Sequence, residues 1–242
     1  MAKRKITPED VAAQVRRVLK SGGSTAHAEG VQWFFKEVIK SHGWRTANLR
    51  KVATRFRDAI VKERGLDFLT RVADRLFRGR VLEEKIFAVL MLEKIVQQLD
   101  DKEFQLFVKW IARISSWADH DGLVHYLIAP MIAAKPSRAR NVLVWAKSPD
   151  RWHRRAACVA LIQGSRRKMF FPQVMRLSKI LLRDHDDMVQ KGLGWLLRET
   201  AKHNAAETIP FLIRISPNSP RLVLRTACET LPAVTRKRIL SA

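Results

Sequence analysis

Signals that start and stop helices recur along the whole chain, and they constrain its fold more than any other feature. Thr7-Pro8-Glu9 combines an N-cap residue, a proline that fits the first helical turn and an acid. The predicted helix ends lie near glycines, namely Gly22-Gly23, Gly43, Gly65 and Gly79. Further starts are predicted at Thr46, Asp67, Asp100-Asp101, Asp150, Asp186-Asp187 and Ser219-Pro220. Because no stretch alternates apolar and polar residues as a strand does, the pattern predicts an all-α fold.

Apolar spacing assigns two of these helices in more detail. One helix is predicted to run to Gly43 because its apolar residues recur with the helical period; they are Val31, Phe34, Phe35, Val38 and Ile39. A second stripe at helical spacing is predicted to lie in the core; it consists of Phe104, Phe107, Trp110 and Ile111.

The predicted helices are of moderate length and are joined by short turns. No long linker separates two compositions, so we expect a single domain over residues 1–242. Helix pairs of this size are typical of an α-solenoid of HEAT-like helical repeats, each of about 40 residues. The concave face of a solenoid is an extended binding surface.

The charge balance predicts what that surface binds. The chain has 46 Lys and Arg residues against 23 Asp and Glu, a formal net charge of +23. Cations are spread along the whole chain, so we expect a concave basic face and nucleic acid as the partner. An anionic membrane surface is the weaker alternative, because no amphipathic segment stands apart as an anchor. The apolar run from Ile86 to Leu92 is also too short to span a bilayer.

Two further features concern the compartment. Cys158 and Cys228 lie in apolar helical context and are predicted to be reduced core residues rather than a disulfide. Residues 1–5 resemble the basic start of a signal peptide, but Thr7-Pro8-Glu9-Asp10 follows where an apolar stretch would be needed. We therefore expect a cytoplasmic, nucleoid-associated protein.

Three stretches carry residues suited to chemistry as well as to packing. In the first, Trp117 and Asp121 are four residues apart and share one face of a helix. An indole beside a carboxylate can stack on a sugar or base and stabilise a cation. The alternative is that Trp117 belongs to the core and that Asp119 or Asp121 caps a helix.

The second stretch begins at Asp150, which is predicted to cap a helix. Arg151, Arg154 and Arg155 follow within its first turns, where guanidinium groups can bind phosphate oxygens. A solvated charged face is the alternative.

The third stretch follows Asp186-Asp187 and carries Lys191, Trp195 and Arg198 on one face. Such a stripe can neutralise phosphates and stack on a base or sugar. The alternative is a buried indole flanked by cations whose stems cover it. Gly192 and Gly194 lie inside the same helix and permit close helix packing or close approach of DNA.

Acid and histidine clusters give a weaker signal. Asp119-His120-Asp121 and His185-Asp186-Asp187 could suggest a metal site, but no CxxC or HExxH motif accompanies them. We expect neither a metal nor another cofactor.

In this order, the stretches resemble the AlkD-type DNA alkylation repair glycosylases, which are HEAT-like helical proteins. The segments that carry the resemblance are Gly43-Trp44-Arg45-Thr46 with Leu49-Arg50, Glu84–Leu92, Trp152–Ala157, Gln190–Glu199 and Arg225-Thr226-Ala227. The segments at 152–157 and 190–199 are specific in combination, whereas the outer ones are loose.

The resemblance implies the roles of four residues. Trp117 and Trp195 would pack against the damaged nucleotide, Asp121 would be the catalytic carboxylate, and Arg155 would hold a phosphate beside the lesion. Arg45, Arg154, Lys191 and Arg198 are predicted to bind DNA. Arg45 replaces a Gln of some members, and Phe35 lies near a position where they can have a Tyr, so both positions bear on lesion preference.

The expected function is a DNA glycosylase of base excision repair, acting on N3- and N7-alkylated purines in duplex DNA. The resembled family contacts the DNA backbone without a base-flipping pocket, and a monomer is sufficient to bind one duplex. The first alternative is a non-enzymatic protein that binds damaged or branched DNA. The second is an RNA or protein scaffold.

Overall fold

The computed structural model describes residues 6–241. Residues 1–5, which carry the signal-like sequence, and residue 242 lie outside this part. Regular structure within residues 6–241 is helical, and the β interaction found there is an isolated parallel bridge between Lys40 and Val81. The predicted all-α class is therefore confirmed. The described residues form two compact units that separate after Leu123.

The first unit contains six α-helices within its described part. They are α1 (Pro8–Ser21), α2 (Thr25–Gln32), α3 (Thr46–Phe77), α4 (Leu82–Leu92), α5 (Asp101–Ile111) and α6 (Trp117–Leu123), with a 3₁₀ segment at Glu93–Gln98. Helix α3 packs on α1 and α4. The stripe predicted to be core is buried, and Trp110 stacks on Phe77 with ring centroids 4.3 Å apart. The core prediction is confirmed.

The second unit contains nine α-helices up to residue 241. They are α7 (Ala129–Ala134), α8 (Arg140–Trp145), α9 (Arg151–Val159), α10 (Ile162–Ser165), α11 (Phe171–Leu181), α12 (Asp187–His203), α13 (Ala205–Ile215), α14 (Arg221–Ala227) and α15 (Ala233–Ser241). A π-helical turn at Val124–Ile128 and 3₁₀ segments at Pro136–Ala139 and Ser216–Asn218 complete it. Helix α12 lies centrally, packed on α9 and α14.

Side-chain caps account for most of the predicted helix starts. Thr7 and Asp10 form a reciprocal capping box at α1, and Asp100 does the same with Glu103 at α5. Asp150 accepts hydrogen bonds from the first amides of α9, as the capping aspartate Asp186 does at α12. These predictions are confirmed.

The helix predicted to run to Gly43 is wrong, because α2 ends at Gln32. The side chain of Gln32 takes over the backbone bonds of the following residues: its Nε2 donates to Glu37 O at 2.8 Å, and its Oε1 accepts from Ile39 N at 2.9 Å. Further on, the buried Glu83 carboxylate accepts from the amides of residues 42–44. Apolar period alone does not reveal such competing acceptors.

The predicted division at Gly65 is found as a break within α3. Gly65 has φ +79°, in the region that glycine adopts without strain, and helical geometry resumes directly after it. Arg45, rather than Thr46, is the N-cap residue of α3.

The glycines of α12 serve helix packing. A Cβ on Gly192 would lie 3.2 Å from Cγ of Arg155, and one on Gly194 would lie 2.5 Å from Cβ of Thr226. Both glycines therefore let neighbouring helices approach closely. Cys158 and Cys228 are buried free thiols, and burial raises the pKa of both thiol groups.

Candidate functional site

A buried ion pair fixes the start of α6 in the first unit. Lys85 Nζ lies 2.8 Å from Asp119 Oδ2, and the two side chains are only 4% and 0% exposed. The same ammonium donates to the carbonyl of Arg113 and the hydroxyl of Ser115. With three acceptors, the buried cation has its hydrogen bonds satisfied.

Asp119 also holds the first amides of the turn. Its carboxylate accepts from Ser115 N at 2.9 Å and from Ser116 N at 2.7 Å. Asp119 lies inside α6, three residues after Ser116, so it is the acid that bonds back to the amides at the helix start and is not the N-cap residue. The alternative that Asp119 is an N-cap is therefore wrong, and its bonds to Ser115 and Ser116 fix the start of α6.

Asp121 occupies a different environment two residues later. Its side chain is 22% exposed, and Oδ1 lies 2.7 Å from Nδ1 of the fully buried His120. The imidazole therefore fixes the orientation of the carboxylate. A partly exposed, oriented carboxylate is suited to stabilising a positive charge that develops on a bound molecule.

Trp117 lies at the start of α6, on the same helix as Asp121. Its ring stacks on Phe35 at a centroid distance of 4.9 Å with 15° between the planes. Its Nε1 donates to the carbonyl of Phe34 at 3.2 Å. The indole is only partly buried, so it is neither a core residue nor a freely rotating surface group.

A cleft of about 200 Å³ adjoins Trp117 and is lined in part by Phe34, Phe35 and Ile86. Ligand pockets usually have volumes of about 300–1,000 Å³, so this cleft is small. Arg45 is exposed at the N-cap of α3.

In the second unit, Arg155 is held between α9 and α12. The residue is 6% exposed, its NH1 donates to the carbonyl of Met188 at 2.6 Å, and its stem lies against Gly192. Burial and this bond fix the guanidinium in one place. A fixed guanidinium can bind a phosphate with little loss of side-chain entropy.

Trp195 lies one turn beyond Gly192 on α12. Its ring is partly buried and lies 5.3 Å from the ring of His125, which in turn contacts Tyr126 edge-on. The second unit therefore presents an indole of intermediate exposure, as the first unit does.

The remaining predicted DNA-binding cations differ in how far their charge is already paired. Arg154 binds Asp184 through Nε at 2.6 Å and donates to the carbonyls of Ser148 and Pro149. Its guanidinium thus serves the junction with the turn before α12. Lys191 is more exposed and lies 3.7 Å from Asp187.

Arg198 forms an ion pair with Glu229 and lies near Glu199. The Arg198 side chain is only 23% exposed. Lys191 is more exposed, and it can exchange Asp187 for a phosphate at little cost because exposed pairs contribute about 0–1 kcal/mol.

Three contributors to the first unit's site were not identified from the sequence: Phe35 as a stacking partner, His120 and Lys85. The resemblance had placed Phe35 near a position that bears on lesion preference, but the wrong helical assignment gave no indication that its ring stacks on Trp117. The pairing of Lys85 with Asp119 joins residues 34 positions apart. No local signal reports such a pair.

Two absences concern the described part of the chain. Among residues 6–241, no helix combines the length and the apolar character needed to cross a membrane. In the same range, no group of three or more His, Cys, Asp or Glu side chains is placed to hold a metal ion.

Comparisons with known proteins agree on the kind of protein this chain is similar to. The family model for the DNA alkylation repair enzyme matches residues 15–231. A solved structure of a predicted DNA alkylation repair enzyme from Enterococcus faecalis superposes with a TM-score of 0.75 at 14% identity, covering 87% of this chain and 97% of that chain. At that identity the likeness shows a shared fold. No curated protein matches the sequence.

Proposed function

The chain belongs to the DNA alkylation repair enzyme family, and on that premise we propose that it is a DNA glycosylase. Its substrates would be N3- and N7-alkylated purines in duplex DNA, and its reaction would be hydrolysis of the N-glycosidic bond in base excision repair. The family supports a role in alkylation repair, with DNA as the partner. A cytoplasmic, nucleoid-associated location and a monomeric state belong to the same proposal.

The observation that carries the proposal is that two neighbouring aspartates differ in burial and in their partners. Asp119 is buried and its carboxylate is used by Lys85 and the start of α6. Asp121 is partly exposed beside Trp117, in a protein with a formal net charge of +23. A carboxylate at a surface that binds phosphates opposes binding, so its presence there favours a chemical role.

Alkylation at N3 or N7 makes the purine cationic and hence a good leaving group. When the C1′–N9 bond breaks, its electron pair neutralises the purine, and the sugar becomes an oxocarbenium-like cation. Asp121 stabilises that cation electrostatically and accepts a proton from the water that attacks C1′. The products are the free alkylated base, an abasic site and one proton.

The other predicted residues bind and orient the DNA. Trp117 offers an indole face to the sugar, in the arrangement of a cation–π contact. In the second unit, Arg155 is proposed to bind a backbone phosphate and Trp195 to pack on the DNA. Arg45, Arg154, Lys191 and Arg198 add phosphate contacts, and Arg154 is also paired with Asp184. The small cleft beside Trp117 supports a reaction without a base-flipping pocket.

The test is release of base from a duplex that contains N7-methylguanine or N3-methyladenine. We expect release well above the spontaneous rate, and an Asp121→Asn variant about 100-fold slower with equal or higher DNA affinity. Asp58→Asn removes an exposed carboxylate from α3 and is the matched control, expected to retain full activity.

Two outcomes would contradict the proposal. If the protein binds DNA but releases no base above background, it is a non-enzymatic DNA-binding protein. If Asp121→Asn keeps wild-type turnover, Asp121 is not the catalytic carboxylate.

A further inference from the structure

The segment of residues 33–40, here called the aromatic loop, exposes an unusual amount of apolar surface. Trp33 is 91% exposed, Phe34 75% and Val38 93%. Eight large hydrophobic residues are exposed within residues 6–241, and these three lie within six consecutive positions. Clustered exposed apolar side chains mark an interaction surface more often than scattered ones do.

The aromatic loop is braced from within. Gln32 spans it with bonds to the backbone of Glu37 and Ile39, and Phe34 N and Phe35 N donate back to the end of α2. The exposed rings are therefore presented by a backbone whose hydrogen bonds are largely satisfied. An ordered loop loses little conformational entropy when it binds a partner.

The aromatic loop is also attached to the candidate site. Phe35 points inward and stacks on Trp117, and the Trp117 indole donates to Phe34 O. At its far end, Lys40 O accepts from Leu82 N at 2.8 Å, which ties the loop to the start of α4. Phe34 thus lies next to the residue proposed to touch the damaged nucleotide, and Trp33 directly precedes Phe34 in the chain.

Cations surround the base of the aromatic loop. A cleft of about 430 Å³ has Val38 and Lys40 on one side and the turn before α4 on another, and its lining includes five basic residues and no acid. Three of these cations are already paired, Arg78 and Arg113 with Asp74 and Lys85 with Asp119. Lys40 and Arg80 are exposed at the rim.

We propose that the aromatic loop is a base-stacking element for DNA, in which Trp33 and Phe34 contact bases at an unstacked or unpaired step while Lys40 and Arg80 bind the adjoining phosphates. This inference rests on the proposed function for the identity of the partner. Exposed aromatic rings beside cations are the combination that binds unstacked nucleic acid strands, because the rings take base faces and the cations follow the backbone. Apolar side chains also enter duplexes as wedges between base steps.

The occupant follows from charge complementarity. A protein surface that buried Trp33 and Phe34 would also have to neutralise Lys40 and Arg80, whereas a nucleic acid supplies both base faces and phosphates. The aromatic loop therefore gives the proposed enzyme a preference for duplexes whose stacking is already disturbed.

The experiment measures binding to two duplexes of equal length, one fully paired and one with a single-nucleotide bulge. We expect wild type to prefer the bulged duplex. A Trp33→Ala/Phe34→Ala variant is expected to lose about tenfold in affinity for that duplex and less than about twofold for the paired one. Trp33→Phe/Phe34→Tyr, which keeps both rings, should retain most of the preference.

Two further variants separate stacking from charge. Lys40→Gln/Arg80→Gln should weaken binding to both duplexes equally and reduce the salt slope by about 2. Val234→Ala, at another exposed apolar position, should change neither the affinity for the two duplexes nor the salt slope. Trp33 is the most exposed of the seven tryptophans, all of which lie in the described range, so bulged DNA should reduce acrylamide quenching of tryptophan fluorescence more in wild type than in Trp33→Phe/Phe34→Tyr.

Equal losses on both duplexes, or none, in Trp33→Ala/Phe34→Ala would overturn the inference. So would loss of binding to phosphatidylserine vesicles with unchanged binding to bulged DNA, which would assign the loop to a membrane surface. Base release by wild type, scored on the same preparation, keeps the two proposals apart. If wild type releases base normally and Trp33→Ala/Phe34→Ala keeps the preference for the bulged duplex, only the aromatic-loop inference is wrong. If wild type releases no base but Trp33→Ala/Phe34→Ala loses affinity only for the bulged duplex, the aromatic-loop inference is supported and the proposed reaction is not.

Discussion

Asp119 and Asp121 show how differently two neighbouring carboxylates are used. They are two positions apart on α6, yet one is fully buried against Lys85 and the other is partly exposed beside His120. The first holds backbone and cation together, so its charge contributes to folding. The second has an orientation set by His120 and is partly exposed to solvent.

This difference in burial predicts effects of very different size for the same substitution. Asp119→Asn leaves the Lys85 ammonium buried without its counter-charge, and we expect the free energy of unfolding to fall by about 3–5 kcal/mol. Asp121→Asn should change it by less than about 1 kcal/mol. Urea unfolding followed by circular dichroism measures both.

A double variant supplies the control. Lys85→Met combined with Asp119→Asn removes the buried charge and should recover part of the lost stability. Equal stability of the two single variants would show that the Lys85–Asp119 pair does not hold the start of α6.

At the level of helices, the local rules account for where α1, α5, α9 and α12 begin. Each has an N-cap side chain that accepts from amides two or three residues later. The close packing of α12 has another origin, because it depends on which residues of the neighbouring helices lie opposite its glycines. Gly194 contacts Thr226 and the carbonyl of Val223 on α14.

Alanine at two helical glycines should therefore have opposite effects. In Gly194→Ala the new methyl would lie 2.5 Å from Thr226 Cβ, and we expect a loss of about 1–3 kcal/mol in the free energy of unfolding. Gly30 in α2 has no heavy atom within 4 Å of its added Cβ, so Gly30→Ala should stabilise by up to about 1 kcal/mol. Thermal unfolding of both variants is the measurement, and a stabilised Gly194→Ala would contradict the packing role.

For the whole molecule, a few carboxylates are embedded among many cations. In the first unit, burial alone would raise the pKa of Asp74, but hydrogen bonds from Arg113, Trp110 and Arg78 more than offset it and lower the pKa. In the second unit, the pKa of the Glu199 carboxyl is lowered in the same way: burial opposes ionisation, and bonds from neighbouring cations outweigh it.

These shifts predict acid sensitivity. A carboxyl whose pKa is lower in the folded state stabilises the protein above its unfolded pKa, and that contribution is lost as the pH falls through the folded value. Starting from the ordinary carboxyl range of about 4, stability should therefore fall steadily with further acidification. Protonation also increases the positive charge beyond +23, and self-repulsion acts in the same direction.

Thermal unfolding between pH 7 and pH 3 measures this effect. The matched variant is Asp74→Asn/Glu199→Gln, which should be less stable at pH 7 and lose less on acidification. A melting temperature that stays constant or rises toward pH 3 would be the opposite result.

The sequence by itself determined the all-α class, most helix starts, the core stripe of α5 and the basic character, because caps, helical period and charge depend on residues within a few positions of one another. It also identified Trp117, Asp121, Arg155 and Trp195 through a family resemblance that the family match supports. Their catalytic and binding roles stay predictions.

Only the tertiary structure decided which aspartate is buried, which cations are already paired, and that residues 33–40 are not helical. Each of these depends on contacts between distant positions, such as Lys85 with Asp119, Arg154 with Asp184, and Glu83 with the amides of residues 42–44. Burial and pairing are set by what the fold brings alongside a side chain, and the residues flanking it in the chain do not report that.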